Sequence, residues 1–462
     1  MGLHYCINHL YDKNKIDWNH LMFSNLDLRK LLVPLIIENL LTSFMGMADS
    51  MMVTRVGSAA ISAVSLTDSI NNLVIQLFSA MATGGTIICS QYIGSSDLKR
   101  SNDAARQIVL AVTSIALLVA VVAELFHLSI LHLVFGKVDD DVMQAAAIYF
   151  RYTAASFPFL ALYQVGAAFF RAGGNSRFPM KISVLSNLLN IAGNAFFIFA
   201  LGMGVGGAAL STLISRAFSA IVLFIFLRLP RQPIVIQHIL GIRPDFAMIG
   251  RVLSIGIPSG IENSMFQFGK LAIQSSVSTL GTTAIAAQAM TIIFENVNGI
   301  AGIAVGMGLM TVIGQTLGAG RKEEAKYYMI KLMRCGYLVI LVSCLLTFLV
   351  SRPVMFLAGM EPAAAALCWK MLLFITIVKP IIWVPSFISA YGFRAAGDVR
   401  FTMIIASISM WALRVVIVIF LIRYMGFGPI AVWIGMAMDW LFRAVVFTTH
   451  FLKGKWLRYT VI

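Results

Sequence analysis

Pro34-Leu-Ile-Ile-Glu38-Asn39 and Pro258-Ser-Gly-Ile-Glu262-Asn263 are two copies of one frame, 224 residues apart. The same shift, without a gap, lays Gly57 on Gly281, Asn72 on Asn296, Gly84 on Gly308, Gln91 on Gln315 and Gly94 on Gly318. At a shift of 223, Arg171-Ala-Gly-Gly174-Asn-Ser-Arg177-Phe178 falls on Arg394-Ala-Ala-Gly397-Asp-Val-Arg400-Phe401. A register held from Pro34 to Gly94 is not a chance match, so the chain is an internal duplication and its architecture has to be read as two related halves.

The composition around these motifs says what each half is made of. Of 462 residues, 59% are hydrophobic and 12% charged, and the mean hydropathy is +0.86. Soluble domains carry roughly 25% charged residues, so a soluble enzyme is excluded. Apolar stretches long enough to cross roughly 30 Å of hydrocarbon as a helix number twelve: 31–53, 60–90, 106–127, 143–170, 179–201, 206–228, 250–279, 284–313, 331–350, 364–392, 402–422 and 430–451. The expected fold is an all-α polytopic membrane protein of twelve transmembrane helices in two six-helix lobes with a central cleft. The duplication carries the first stretch onto the seventh, an even number of crossings later, so the lobes are parallel repeats about an axis along the membrane normal.

The net charge of +15 is not a nucleic-acid signature, because the bases lie between the apolar runs. Alternate connecting segments hold 24 Lys and Arg against four (Arg55, Lys137, Arg352 and Arg423). The positive-inside rule then places both termini in the cytoplasm of a multi-pass protein of the cell (inner) membrane. The corresponding divisions are a cytoplasmic N-terminal segment 1–28, an N-lobe 29–228, a cytoplasmic linker 229–249, a C-lobe 250–452 and a cytoplasmic tail 453–462. Residues 1–30 have no short apolar core ahead of a small-residue cleavage site, so no removable signal peptide is expected. Five scattered cysteines without a CxxC pair offer neither a disulfide framework nor a zinc site. No nucleotide-binding motif is present, no enzyme constellation is readable and no cofactor is expected.

The duplicated Pro-x-x-x-Glu, Ala48-Asp49-Ser50, the Gln91-x-x-Gly94 and Gln315-x-x-Gly318-Ala-Gly-Arg321 helix ends and the Arg-Ala-x-Gly loops resemble the multidrug and toxic compound extrusion (MATE) family, of bacterial type. The likeness runs from about Arg29 to Phe451. It implies efflux of organic cations in exchange for inward Na⁺ or H⁺. One cation site of that family lies in the N-lobe, and by position its members fall on Asp49, Asn190, Asn194 and Thr212. There the second family carboxylate is replaced by Asn194, leaving one formal charge where the family site has two, which favours proton coupling over tight Na⁺ binding.

Ionisable groups inside hydrocarbon ask for a partner or a task. Asp49 sits eleven residues after Glu38 and shares its helix face, while Asn187, Asn190 and Asn194 form an amide stripe that can coordinate a cation or serve a carboxylic proton. Glu38 and Glu262, one turn after a proline, either brace a bend with Asn39 and Asn263 or draw a cationic substrate. Lys270 and Glu295 stand where the first half has Gly46 and Asn71, and they form either a satisfied pair or a switch. Asp68 has no partner visible in the sequence. Met265, Phe266, Met290, Phe294 and Met307 gather near Glu262 and Glu295 and suit a promiscuous pocket, although any one of them is also an ordinary core residue.

The sequence therefore reads as a secondary antiporter, a monomer, exporting small amphipathic cations by alternating access. A lipid or cell-wall-precursor flippase of the same superfamily is the alternative, and a receptor or channel a more distant one. Membrane lipids are the surrounding partner and nucleic acid is not one.

Overall fold

The computed structural model describes residues 11–136, 139–230, 232–237, 243–459 and 461–462, without the side chains at 45, 47–50, 54 and 58. Its regular elements are all helical. The long ones are, in chain order, α1 (Asn25–Thr54), α2 (Ser58–Gly94), α3 (Leu98–Leu125), α4 (Asp140–Ala155 and Phe157–Ala172, bent by 44°), α5 (Arg177–Ala200) and α6 (Gly204–Leu227), with a short helix His127–Phe135 between α3 and α4. The second half repeats them as α7 (Phe246–Val277), α8 (Thr282–Gly318), α9 (Lys322–Leu357), α10 (Pro362–Ala395), α11 (Val399–Arg423) and α12 (Ile430–Leu452). Among the described residues nine of these are long and apolar enough to span a membrane, and the bent α4 makes a tenth. The remaining two, α1 and α7, are the helices that carry the Pro-x-x-x-Glu motifs.

The chain divides into two compact units. One contains Val33–Gly260; the other contains Ile261–Ile462 with the segment up to Leu32. Within the first, α2 packs on α3 and α4, α3 on α4, α4 on α6 and α5 on α6. Within the second, α8 packs on α9 and α10, α9 on α10, α10 on α12 and α11 on α12. These are the same five pairings six helices later, so the duplication read from scattered motifs is a duplication of packing.

Local chemistry explains the shared joints. Gly57 and Gly281, matched in the repeat, precede α2 and α8 with φ of 138° and 90°, a region closed to most L side chains. Pro34 and Pro258 lie inside continuous helices, each missing the hydrogen bond to the carbonyl four residues back. Ser24 and Asp27 cap α1 reciprocally: the Asp27 N–H donates to Ser24 Oγ, and the Ser24 N–H donates to Asp27 Oδ2 at 3.1 Å. The carboxyl of Asp27 is held below the ordinary aspartate value, chiefly by the Ser24 hydroxyl.

Both α5 and α11 contain a π-helical turn, at Ala195–Ala200 and Ser409–Val415. The repeat shift grows from 223 at Arg177 and Arg400 to 224 at Gly202 and Gly426, so α11 accommodates one residue more than α5 over this stretch.

Apolar side chains divide between two environments. Val277, Phe294, Leu372 and Trp433 belong to the core of the second unit. Leu117, Leu118, Val121 and Val122 on α3, and Leu345, Leu346 and Leu349 on α9, stand exposed, as a lipid-facing surface must.

The segment before α1 lies on the start of α9 in the second unit. The Met22 N–H donates to Glu324 Oε1 at 2.7 Å, the Phe23 N–H to the Tyr328 hydroxyl at 2.8 Å, and Arg321 Nη1 to the His20 carbonyl at 2.8 Å. Trp18 packs edge-on against Tyr327.

Candidate ion and substrate sites

The two duplicated motifs meet each other. In the first unit Arg171, at the end of α4, brings Nη2 to 3.8 Å from Glu38 Oε1, and the Tyr163 hydroxyl donates to the same oxygen at 3.4 Å. In the second, Arg394 Nη2 lies 2.6 Å from Glu262 Oε1. All four charged side chains are at most 15% exposed. The same atoms are left over in each copy: Glu38 Oε2 and Arg171 Nε, Glu262 Oε2 and Arg394 Nε are buried without a hydrogen-bond partner among the described residues. Sequence reasoning found both motifs but did not connect them, although their joint duplication was the available signal. Asn39 turns back to the Leu35 carbonyl at 2.7 Å, a local brace on the proline-containing helix.

In the first unit Asn190, Asn194 and Thr212 are linked in a chain, and Asn187 bonds separately. Asn187 donates to Ser183 Oγ at 3.4 Å, Asn190 to Thr212 Oγ1 at 3.2 Å and Asn194 to Asn190 Oδ1 at 3.5 Å, while Ser211 donates to the Asn190 carbonyl at 2.7 Å. Asn194 is fully buried where the π turn of α5 begins. The structure thus brings Asn190, Asn194 and Thr212 together. The side chain of Asp49, the carboxylate expected beside them, lies outside the described residues. Asp68 accepts from Asn71 at 3.3 Å and from the Tyr149 hydroxyl at 3.5 Å, partners supplied by its own helix and by α4. No trio of His, Cys, Asp or Glu able to hold a metal occurs among the described residues.

The second unit holds charge where the first holds amides. Lys379 on α10, fully buried, donates to Glu295 Oε1 at 2.6 Å, to the Glu295 carbonyl at 3.1 Å and to Asn298 Oδ1. Asp439 on α12 is flanked by Arg414 Nη2 at 2.5 Å and Arg443 Nε at 2.7 Å, and Arg443 also reaches Ser409 Oγ and the Ala406 carbonyl. The Asp439–Arg443 bridge is the one their four-residue spacing suggests.

The pair expected between Lys270 and Glu295 does not form: Lys379 holds Glu295, and Lys270 makes no ion pair within 4 Å among the described residues. Its Nζ lies 4.8 Å from the centroid of the Phe266 ring, and the Arg414 guanidinium lies 5.1 Å from the same centroid. Phe266 and Met290 pack on the cluster that includes Phe294 and Ile273. Met265 and Met307, partly exposed, are not part of that cluster. Lys379 and Arg414 are the members of this network that spacing alone did not reveal as partners of Glu295 and Asp439.

Twice-six helices, each half with the same packing order and with buried ion pairs and amides inside it, define a duplicated polytopic membrane transporter. The MatE family model matches residues 34–196 and again 258–420, one copy per half, and the chain belongs to that family. Among its relatives, the uncharacterized transporter YisQ of Bacillus subtilis is 26% identical over 433 residues, covering 92% of this chain and 93% of the relative. The probable multidrug resistance protein NorM of Thermotoga maritima is 26% identical over 446 residues, covering 94% of each.

Solved structures show the same fold at low identity. A MOP superfamily transporter from Pyrococcus furiosus, described as having a binding pocket of reverse polarity that suggests a different function, superimposes with a TM-score of 0.86 at 18% identity, over 98% of this chain and 99% of that one. A MATE in the straight conformation also gives 0.86 at 18% identity, over 97% and 98%.

Proposed function

We propose that this multidrug efflux transporter is a secondary antiporter that exports amphipathic organic cations in exchange for protons, working by alternating access as a monomer in the cell inner membrane with both termini cytoplasmic. The observation that carries the ion assignment is the neutral chain of Asn190, Asn194 and the Thr212 hydroxyl, with Asn187 one turn away. Sodium favours hard oxygens with enough negative charge to offset its dehydration, and here only Asp49 supplies a carboxylate. A lone carboxylate among amides can instead take up and release a proton, which needs no coordination shell. Asn190, Asn194 and Thr212 offer both hydrogen-bond donors and acceptors, which suits a carboxyl group in either protonation state.

A second reading concerns substrate polarity. Glu38, Glu262 and Glu295 each have a basic partner in their own unit, which weakens the case for a purely cationic ligand. The Pyrococcus furiosus transporter's reversed pocket supports considering amphiphiles with an anionic head, the flippase-like alternative.

Proteoliposomes with Na⁺ and pH gradients imposed separately test the coupling. Dye export is expected with an inward proton gradient in Na⁺-free buffer and is expected to be lost in Asp49→Asn. Export that needs an inward Na⁺ gradient at clamped pH and ignores the proton gradient would overturn the proton assignment.

A further inference from the structure

We infer that the second unit contains an anion-binding site, formed by Lys270 and Arg414 against the ring of Phe266, which takes the carboxylate or phosphate group of a transported amphiphile. This rests on the exporter reading above and narrows its substrates to molecules that carry an anionic group beside any cationic one.

The first support is a charge imbalance. Four bases, Lys270, Lys379, Arg414 and Arg443, gather around two carboxylates, Glu295 and Asp439. Lys379 is saturated, its three hydrogens going to the Glu295 carboxylate, the Glu295 carbonyl and Asn298. Arg443 is spent on Asp439, Ser409 and the Ala406 carbonyl.

What remains is Lys270, which makes no ion pair within 4 Å among the described residues, and the half of Arg414 that Asp439 does not meet, its Nε being buried without an acceptor. Glu295, the acidic group near Lys270, is already held by Lys379, and Arg414 repels Lys270. Two cations therefore lie against one aromatic ring, Lys270 without an ion pair and Arg414 sharing the single carboxylate of Asp439 with Arg443. Ring faces attract cations only modestly, so an anion supplied from outside is the stronger partner.

The second support is the duplication. Lys270 and Glu295 answer to Gly46 and Asn71 at the shift of 224. The same shift, in force from Gly202 and Gly426, sets Asp439 opposite Ser215, and Arg414, where the shift changes from 223 to 224, falls opposite Ile191 or Asn190. The first unit reaches the same five helix pairings without any of these charges. The fold does not require them, and their cost inside a membrane points to a ligand. Lys270 is exposed on its unit rather than enclosed, so a ligand has access to it. Phe266, Met290 and Phe294 supply apolar surface beside the cations for the body of such a molecule.

The test uses the full chain in lipid nanodiscs and a cationic xanthene dye in two forms, the zwitterionic free acid and its methyl ester. Binding is read by fluorescence anisotropy with no gradient present. The free acid should bind about tenfold more tightly than the ester, equivalent to about 1.4 kcal/mol. Lys270→Gln should bring the ratio close to one, and Lys270→Arg should keep it. Equal binding of the two forms by the wild-type protein, or a ratio that Lys270→Gln leaves unchanged, overturns the site. A preserved ratio in a protein that moves neither dye under either gradient would instead refute the exporter reading, so the two failures are separable.

Discussion

Glu262 illustrates how a carboxylate in a membrane helix changes meaning once its neighbour is known. Considered alone it reads as an attractor of cations; with Arg394 at 2.6 Å it is half of a buried pair that the other unit repeats as Glu38 and Arg171. Removing one partner of such a pair leaves an uncompensated buried charge, at a cost of roughly 3–5 kcal/mol, whereas removing both can be close to neutral. Arg394→Gln is accordingly expected to destabilise the protein by roughly 3 kcal/mol, with most of the loss recovered by adding Glu262→Gln. Thermal unfolding in detergent, followed by tryptophan fluorescence, measures both. If the two losses simply add, the residues do not act as a pair.

At the level of the helix, the π turn of α11 deserves comparison with its counterpart in α5. The wider turn at Ser409–Val415 contains Arg414 and directs it to Asp439, while the turn at Ala195–Ala200 follows directly on buried Asn194. A π turn is one residue inserted into an α-helix, and such insertions often mark functional sites. Deleting Ala412 should close the turn and rotate the two parts of α11 by about 100° relative to each other, separating Arg414 from Asp439. The deletion is expected to lower thermal stability and to make Asp439→Asn nearly silent on top of it. A full further loss from Asp439→Asn would show that Arg414 still reaches its partner.

For the whole molecule, the repeat made the architecture legible early. Pro34 and Pro258, Gly57 and Gly281, and the Arg-Ala-x-Gly loops all sit at joints where backbone chemistry restricts the choice of residue, so they survive in both halves as visible marks. The charge network was less legible. Lys379 and Glu295 are 84 residues apart, and Arg394 and Glu262 are 132 apart, distances over which no local periodicity operates. Spacing could say that each intramembrane charge needed a partner, and only the fold says which. The one bridge read directly, Asp439 with Arg443, spans a single helical turn.

The contact between the segment before α1 and the start of α9 has a consequence in time. Met22 and Phe23 find Glu324 and Tyr328 only after some 302 and 305 intervening positions have been added. At about 5–20 residues per second, the interval during synthesis is roughly 15–60 s. Throughout it the backbone donors of this segment must be satisfied by water or by other factors, and the segment is open to protease while the earlier helices are already being inserted. Ribosome-arrested chains ending before Arg321 should therefore be clipped between Tyr11 and Ser24 by an added protease, and chains that extend beyond α12 should be protected there. Equal clipping of the two would mean that the segment does not close onto α9 when the second half is complete.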